Sequence, residues 1–143
     1  MPMKTKTAGL MWLLIAAVIL AGCATAPQLP DDEASARIVE ERAESRWRHI
    51  MERDFEKSYE YRSPGYRQTT RLREYERDMA RRPFRYLGLD VLPAECEGDR
   101  CEVRVRLTYQ VVGAPAGQHR VRLTQDLAET WIRLEDQWWY VQN

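Results

Sequence analysis

Two cysteines in the second half of the chain have a spacing that suits a covalent bond between them. Cys96 and Cys101 bracket residues 97–100, and the sequence on both sides looks extended. Gly98-Asp99 is a turn signal, so the two side chains can face each other across the mouth of a hairpin. We predict a disulfide here. Free thiols are an alternative, and so is a two-cysteine metal site, although no histidine cluster accompanies the pair.

The sequence contains no other motif that defines a reaction. It has no nucleophile motif, no phosphate-binding loop and no metal-ligand spacing. Neither of its two histidines, His49 and His119, has a catalytic partner that the sequence identifies. We therefore predict no catalytic residue, no metal ligand and no cofactor.

The amino terminus has the organisation of an export signal. Lys4 and Lys6 form a positive start, and no acidic residue occurs before Asp31. An apolar run of 15 residues extends from Ala8 to Gly22. A helix needs roughly 18–20 apolar residues to span a bilayer. The pattern therefore favours the core of a signal peptide over a permanent transmembrane helix.

The end of this apolar run resembles the lipobox of bacterial lipoproteins. Leu20-Ala21-Gly22-Cys23 is similar to it in all four positions. The resemblance implies acylation of the Cys23 thiol, cleavage before Cys23 and acylation of the new amino terminus. Several acyl chains on one residue give stable membrane anchoring. An ordinary signal peptide that contains a cysteine is the alternative.

The predicted organisation is a signal peptide over residues 1–22, a lipidated tether over 23–31 and a folded domain over 32–143. Ala24, rather than an aspartate, follows the lipidated position. In the sorting rule that the resemblance implies, this favours the outer membrane over the inner membrane. The domain is then expected to face the periplasm. That compartment is oxidising, which favours a disulfide between the two remaining cysteines.

Charge is balanced over the whole chain and uneven along it. The 22 basic and 22 acidic residues give a net charge of zero, so nothing in the total predicts nucleic-acid binding. Residues 31–60 hold ten acidic against six basic residues, whereas residues 62–85 hold eight arginines against three acidic residues. The basic segment favours an anionic partner such as a lipid headgroup or an envelope protein. Alternatively, an acidic first helix lies beside a basic third helix.

Helical periodicity dominates the first half of the domain. Apolar residues recur at spacings of three and four and predict one long amphipathic helix, kinked near Asp54, with arginine and glutamate on its other face. These residues are Val39, Ala43, Trp47, Ile50, Met51 and Phe55. A short helical piece carries Tyr59 and ends before the breaker at 63–65. A third helix is predicted over about residues 69–82, before a proline.

After residue 83, apolar and polar residues alternate with a period of two, which is typical of strands. We predict a mixed strand over residues 84–95, a clearly alternating strand over 101–112 and a loop at 113–117. The alternation of the returning strand slips at 128–132, where we predict a bulge, and 137–141 form a final strand. The expected fold is α+β, with the N-terminal helices packed on one face of a curved four-stranded antiparallel sheet.

Three segments resemble the nuclear transport factor 2-like (cystatin-like, SnoaL-like) superfamily of cone-shaped α+β domains. Residues 47–67 are similar to the end of helix one and the helix-two turn of small bacterial members. Residues 101–131 match their long curved strands, and residues 131–141 resemble their closing hairpin. The resemblance covers roughly residues 40–143 and rests on packing and turn residues. It implies a fold, not a function.

Enzymes of this superfamily use an acidic or histidine base inside the cone. The acidic candidates are Asp90, in the first strand, and Glu129, where the alternation slips. We expect Asp90 to face solvent and Glu129 to mark the bulge. We expect His49 and His119 to lie at the surface or at its boundary. No member of this set is predicted to be catalytic.

Aromatic residues are numerous for a domain of this size. Core packing accounts for most of them. A subset can instead line a pocket in the mouth of the cone, and its candidates are Trp47, Tyr59, Trp131 and Trp138. We predict a lipid-anchored periplasmic binding or accessory module, non-enzymatic, with a small apolar ligand or an envelope protein as partner. The alternatives are a cone-pocket lyase or isomerase that acts on a small apolar substrate, and an envelope-assembly partner without a small ligand.

Overall fold

The computed structural model describes residues 31–113 and 121–141. The helices are α1 (Asp32–Glu52), α2 (Phe55–Tyr59), α3 (Pro64–Thr69) and α4 (Leu72–Ala80). The strands are β1 (Phe84–Val91), β2 (Glu95–Glu97), β3 (Arg100–Val111), β4 (Leu123–Leu134) and β5 (Gln137–Val141). The predicted signal peptide, Cys23 and His119 lie outside the described residues. Within the described ranges, no helix has the length and apolar character to cross a membrane.

The predicted α+β class is confirmed, but the sheet has five strands rather than four. Its strands run antiparallel in the order β1-β3-β4-β5, and β2 pairs with β3 beyond the end of β1. The strand that we predicted over residues 84–95 is therefore divided in two. Pro93 lies in the gap, and a proline has no N–H to donate to the neighbouring strand.

The predicted kink near Asp54 is a break between two helices. Arg53 ends α1 in the left-handed conformation, with φ of 62°, and its N–H bonds to the carbonyls of His49 and Ile50. Asp54 then caps α2 by accepting a hydrogen bond from the Lys57 N–H. α2 ends at Tyr59, before the breaker at 63–65. The breaker itself begins α3, because Ser63 caps that helix and Pro64 needs no N–H partner in its first turn.

The bulge predicted at residues 128–132 is wrong. β3 and β4 keep one register from the Arg100–Ile132 pair to the Tyr109–Leu123 pair. Alternation continues through the segment, and Glu129 and Arg133 occupy inward positions together with Trp131. The apparent slip arises because charged side chains take positions that the pattern reserves for apolar ones.

The bulge lies in β1 instead. Its pairing with β3 shifts between the Tyr86–Tyr109 pair and the Gly88–Thr108 pair, which leaves Leu87 as the extra residue. An extra residue in one strand bends it and increases its twist.

The core forms between α1 and the inward face of the sheet. α1 contributes Val39, Ala43, Trp47 and Ile50, and β3 contributes Cys101, Val103, Val105 and Leu107, all of them buried. Tyr75 and Met79 of α4 extend this core. The alternate residues of β3 from Glu102 to Arg106 are exposed, as predicted, so one face of the sheet is covered and the other is open to solvent over this stretch.

Cys96 and Cys101 lie directly opposite each other in the β2–β3 ladder, with their sulfur atoms at disulfide distance, 1.93 Å. Contacts with α1 hold the same corner. Asp32 accepts a hydrogen bond from the Gly98 N–H (3.2 Å), and Glu40 accepts one from the Ala94 N–H (2.7 Å). The β2–β3 turn is thus connected to the first half of α1.

We predict that replacing Cys96 with alanine lowers the free energy of unfolding by about 2 kcal/mol under oxidising conditions. A disulfide across a loop this short removes about that much entropy from the unfolded chain. Urea unfolding with and without reductant measures the effect. Reductant is expected to destabilise the native chain and to leave the Cys96→Ala variant unchanged. Equal stability of the native chain in both conditions would contradict the disulfide.

Candidate functional site

The site begins with a charged residue on the buried face of α1. Arg46 lies between Ala43 and Ile50 in the helical spacing of that face, and only 4% of it is exposed. The prediction that arginine and glutamate occupy only the outer face of this helix is therefore wrong at Arg46. A buried guanidinium requires a counter-charge close by.

Glu129 provides that charge from the inward face of β4. Its Oε1 accepts hydrogen bonds from Arg46 and from the Trp47 indole, which is 2.7 Å away. Its Oε2 accepts a hydrogen bond from the Trp131 indole at 3.2 Å. We call these four residues the Glu129 centre. Burial is the largest single influence on the pKa of Arg46 and acts to lower it. The charge of Glu129, its hydrogen bond and the nearby Tyr140 and Tyr75 together outweigh burial, and the pKa is raised.

Aromatic rings complete the surroundings of the buried arginines. The Arg46 guanidinium lies 4.0 Å from the centre of the Tyr140 ring, and the Arg62 guanidinium lies 4.7 Å from that same ring. Arg62 also lies 3.7 Å from the centre of the Tyr66 ring. Cations are attracted to ring faces, and the flat guanidinium stacks on them. The aromatic residues thus act both as core and as partners of arginine.

The four predicted pocket aromatics do not share either of the two cavities that adjoin α4. Trp47 lines a cavity. Trp131 and Trp138 are 0% and 2% exposed and pack in the core. Tyr59 donates a hydrogen bond to the Thr70 carbonyl (2.6 Å) and packs against Tyr75. Tyr59, Trp131 and Trp138 line neither of the two cavities that adjoin α4.

The first of these cavities, which we call the inner cavity, has a volume of about 210 Å³. The Glu129 centre contributes Arg46, Trp47 and Glu129 to its wall. The second, which we call the rim cavity, has a volume of about 480 Å³. Ile50, Met79 and Arg82 line both, so the two cavities are neighbours.

The rim cavity combines an apolar lining with one sign of charge. Its apolar and aromatic residues are Ile50, Met51, Phe55, Met79, Phe84, Tyr86 and Val112. Its charged residues are Arg53, Arg82 and Arg85, and no acidic residue of the described chain lines it. Within residues 31–113 and 121–141, none of these three arginines forms an ion pair. The arrangement suits a ligand that is apolar at one end and negative at the other.

The other sequence candidates lie outside both cavities. Asp90 is exposed, as expected, and pairs in register with Arg106 on the outer face of the sheet. His49 is half-buried, and its ring centre lies 6.1 Å from that of Tyr61. Among the residues that the structure describes, no group of three or more His, Cys, Asp and Glu side chains could hold a metal ion.

Comparison with known proteins bears on the fold. No protein-family model and no curated protein matches the chain. The structure is similar to the solution structure of a SEC-C motif containing protein from Rhodopseudomonas palustris, with a TM-score of 0.56 and 18% sequence identity. The match covers 71% of this chain and 73% of that one. At this identity the similarity concerns the fold alone.

We predict that breaking the buried ion pair is costly and that removing both halves is less so. Glu129→Gln leaves the Arg46 charge buried without compensation, and Arg46→Met does the same to Glu129. Each single change is expected to lower the free energy of unfolding by about 3–5 kcal/mol. The double variant should lose less than the sum of the two. Urea unfolding of all four proteins in a double-mutant cycle measures the coupling.

The exposed pair of Arg106 and Asp126 is the matched control. It also joins two elements, β3 to β4, at 2.8 Å, but both side chains are open to water. Arg106→Met and Asp126→Asn should show a coupling of at most about 1 kcal/mol, clearly smaller than that of the buried pair. Equal coupling in the two cycles would mean that burial does not strengthen the Glu129 centre.

Proposed function

We propose that this protein is a lipid-anchored binding module of the cell envelope, with its domain in the periplasm and its anchor in the outer membrane. Four features support the proposal. Residues 20–23 resemble the lipobox, Ala24 follows the cysteine proposed to be acylated, and the remaining cysteines lie at disulfide distance. The fourth feature is the rim cavity, and this observation carries the assignment to binding.

The rim cavity supports a binding function because it brings together exposed apolar side chains and arginines that form no ion pair within the described residues. Phe84 and Val112 are 37% and 61% exposed at this cavity. Pockets of 300–1,000 Å³ with apolar walls and a few polar groups are typical of small-molecule sites. A ligand that covers these apolar side chains and pairs with the arginines would shield the apolar surface from water and neutralise the charges.

The Glu129 centre argues against the alternative, a lyase or isomerase with a base inside the cone. Glu129 is the inward-facing acid that such an enzyme would use, and it adjoins the inner cavity. However, three donors already occupy its carboxylate. If Glu129 took a proton from a substrate, it would lose the negative charge that compensates the buried Arg46 guanidinium, which is costly. We therefore favour binding over catalysis.

We also propose that the domain has the cone-like curvature of the nuclear transport factor 2-like superfamily. β3 and β4 are each 12 residues long, and their pairing extends over ten residue pairs. The bulge at Leu87 adds a bend to the neighbouring strand β1. Long paired strands with a bend at one edge support a curved sheet, and the rim cavity lies beside that bent edge.

We predict that Cys23 carries the lipid anchor. The full chain, expressed in a bacterium with two membranes, should incorporate an alkyne-tagged fatty acid and fractionate with the outer membrane. Cys23→Ser should lose the label because no thiol remains to be acylated. Cys96→Ser is the control and should keep it. Labelling of the Cys23→Ser variant, or fractionation of the native chain with the inner membrane, would contradict the proposed anchor or its location.

We predict that the rim cavity holds a ligand when the protein is taken from cells. The full chain is extracted without detergent in polymer-bounded lipid discs, and native mass spectrometry should show an added mass that leaves on activation. Val112→Trp fills the cavity mouth with a larger side chain and should remove that mass. Leu134→Trp makes the same change at a position of 44% exposure that does not line the cavity, and should retain it.

Comparing Val112→Trp with Leu134→Trp shows whether the added mass is bound in the rim cavity. An added mass that survives Val112→Trp would belong to another part of the protein. A bare chain in all three samples would argue for a partner protein rather than a small ligand.

A further inference from the structure

We propose that the rim cavity is specific for a single-chain amphiphile with an anionic headgroup, either a carboxylate or a phosphate. This inference rests on the proposed binding function and specifies its ligand. In this assignment, the apolar lining holds the chain, and Arg53, Arg82 and Arg85 hold the headgroup.

The lining of the cavity combines apolar side chains with exposed arginines. Ile50 and Met79 are 3% and 6% exposed, Phe84 and Val112 are 37% and 61% exposed, and all three arginines are exposed. Methionine side chains adapt to irregular apolar ligands, and Met51 and Met79 both line this cavity. An amphiphile matches this lining when its chain lies against the apolar side chains and its headgroup meets the arginines.

The three arginines come from two places in the fold. Arg53 lies in the left-handed turn between α1 and α2, and its guanidinium lies 5.3 Å from the centre of the Phe55 ring. Arg82 lies between α4 and β1, and Arg85 is the second residue of β1. The turn after α1 and the start of β1 therefore bring three positive charges to one cavity.

The chemistry of guanidinium selects the headgroup. Its fixed fork of N–H donors matches carboxylate and phosphate oxygens in pairs. Because no carboxylate of the described residues lines the cavity, an anionic headgroup there is attracted by three arginines. An uncharged headgroup lacks this attraction, and a cationic one is repelled. Charge complementarity therefore points to an anion rather than to an apolar ligand in general.

The inner cavity is a weaker candidate for the same ligand. Its volume is less than half that of the rim cavity, and Glu129 neutralises Arg46 in its wall. An anion placed there would compete with a buried carboxylate. The two cavities thus differ in that a buried carboxylate lines the inner cavity, whereas no acidic residue of the described chain lines the rim cavity.

A photocrosslinking experiment tests the proposal on the full chain, reconstituted in phosphatidylcholine discs. Four diazirine probes share a twelve-carbon chain and differ in headgroup: a carboxylate, a phosphate, an alcohol and a trimethylammonium. Crosslinked peptides that contain Met51, Phe84 or Val112 report the rim cavity. We expect the carboxylate and the phosphate to label these peptides at least about tenfold more efficiently than the alcohol, as for charge-assisted hydrogen bonds.

The triple variant Arg53→Gln/Arg82→Gln/Arg85→Gln should lose this preference and retain the weaker labelling by the alcohol. The matched control is Arg71→Gln/Arg73→Gln/Arg77→Gln, which removes the same total charge from exposed positions outside the cavity lining. The control should label like the native chain. Thermal unfolding of each protein verifies its fold, and the single variant Arg85→Gln provides the same comparison if the triple variant does not fold.

Four outcomes would contradict different parts of the proposal. Equal labelling by the carboxylate and the alcohol would overturn the anionic headgroup and leave the binding function standing. Absence of labelling by all four probes would overturn the binding function itself. Loss of preference in the control variant would mean that general positive charge, rather than the rim cavity, selects the anion. Displacement of the probes by phosphatidylglycerol in the discs would replace the single-chain ligand with a bilayer lipid.

Discussion

The ion pair between Arg46 and Glu129 determines how α1 lies on the sheet. It connects two residues that are 83 positions apart in the chain, one on the helix and one on β4. Removing two charges from water is costly, and the pair alone does not recover that cost. Two indole N–H groups and the ring of Tyr140 supply the further interactions. Because these contacts require Arg46 and Trp47 to face the sheet together, the rotation of α1 about its axis is fixed. Ile50 is consequently placed one turn further along the same buried face, where it lines both cavities.

The choice of arginine follows from the same constraint. After residue 22, nineteen of the twenty basic residues are arginines, and Lys57 is the one lysine. Composition bias accounts for the excess of arginine over lysine, and the structure shows that several of these arginines stack on aromatic rings. Arg42, Arg46, Arg62 and Arg133 each lie against at least one aromatic ring. A lysine ammonium has no flat face to stack and is more strongly hydrated, so it would be harder to bury at these positions. The aromatic residues and these arginines therefore pack together as parts of one core.

Sequence patterns predicted the parts of the fold that depend on local periodicity. The buried face of α1, the β3–β4 hairpin and the facing cysteines all follow from spacing. The Glu129 centre could not be predicted in this way, because a pattern of apolar residues assigns charges to the outside. Glu129 follows the inward alternation of Leu127 and Trp131, and Arg46 fits the buried spacing of α1. Taken alone, each residue is a charge at a position where its pattern predicts an apolar side chain. The two charges are explained only by their pairing in the folded structure. The rim cavity has no local signal, since its walls come from a helix break, the start of β1 and the end of β3.

Neutralisation distinguishes the two arginine environments of this fold. Inside, Glu129 and the aromatic rings compensate Arg46, and the Glu129 carboxylate accepts three hydrogen bonds. At the rim, three arginines and an apolar surface line one cavity, with no carboxylate of the described residues among them. Solvent hydrates the arginines but leaves Phe84 and Val112 exposed, whereas a ligand with an apolar chain and a negative end would cover the apolar side chains and pair with the arginines. Proton uptake by Glu129 would remove the counter-charge of Arg46, on which the packing of α1 depends. This difference between the two arginine environments supports the proposal that the protein binds a ligand at the rim cavity.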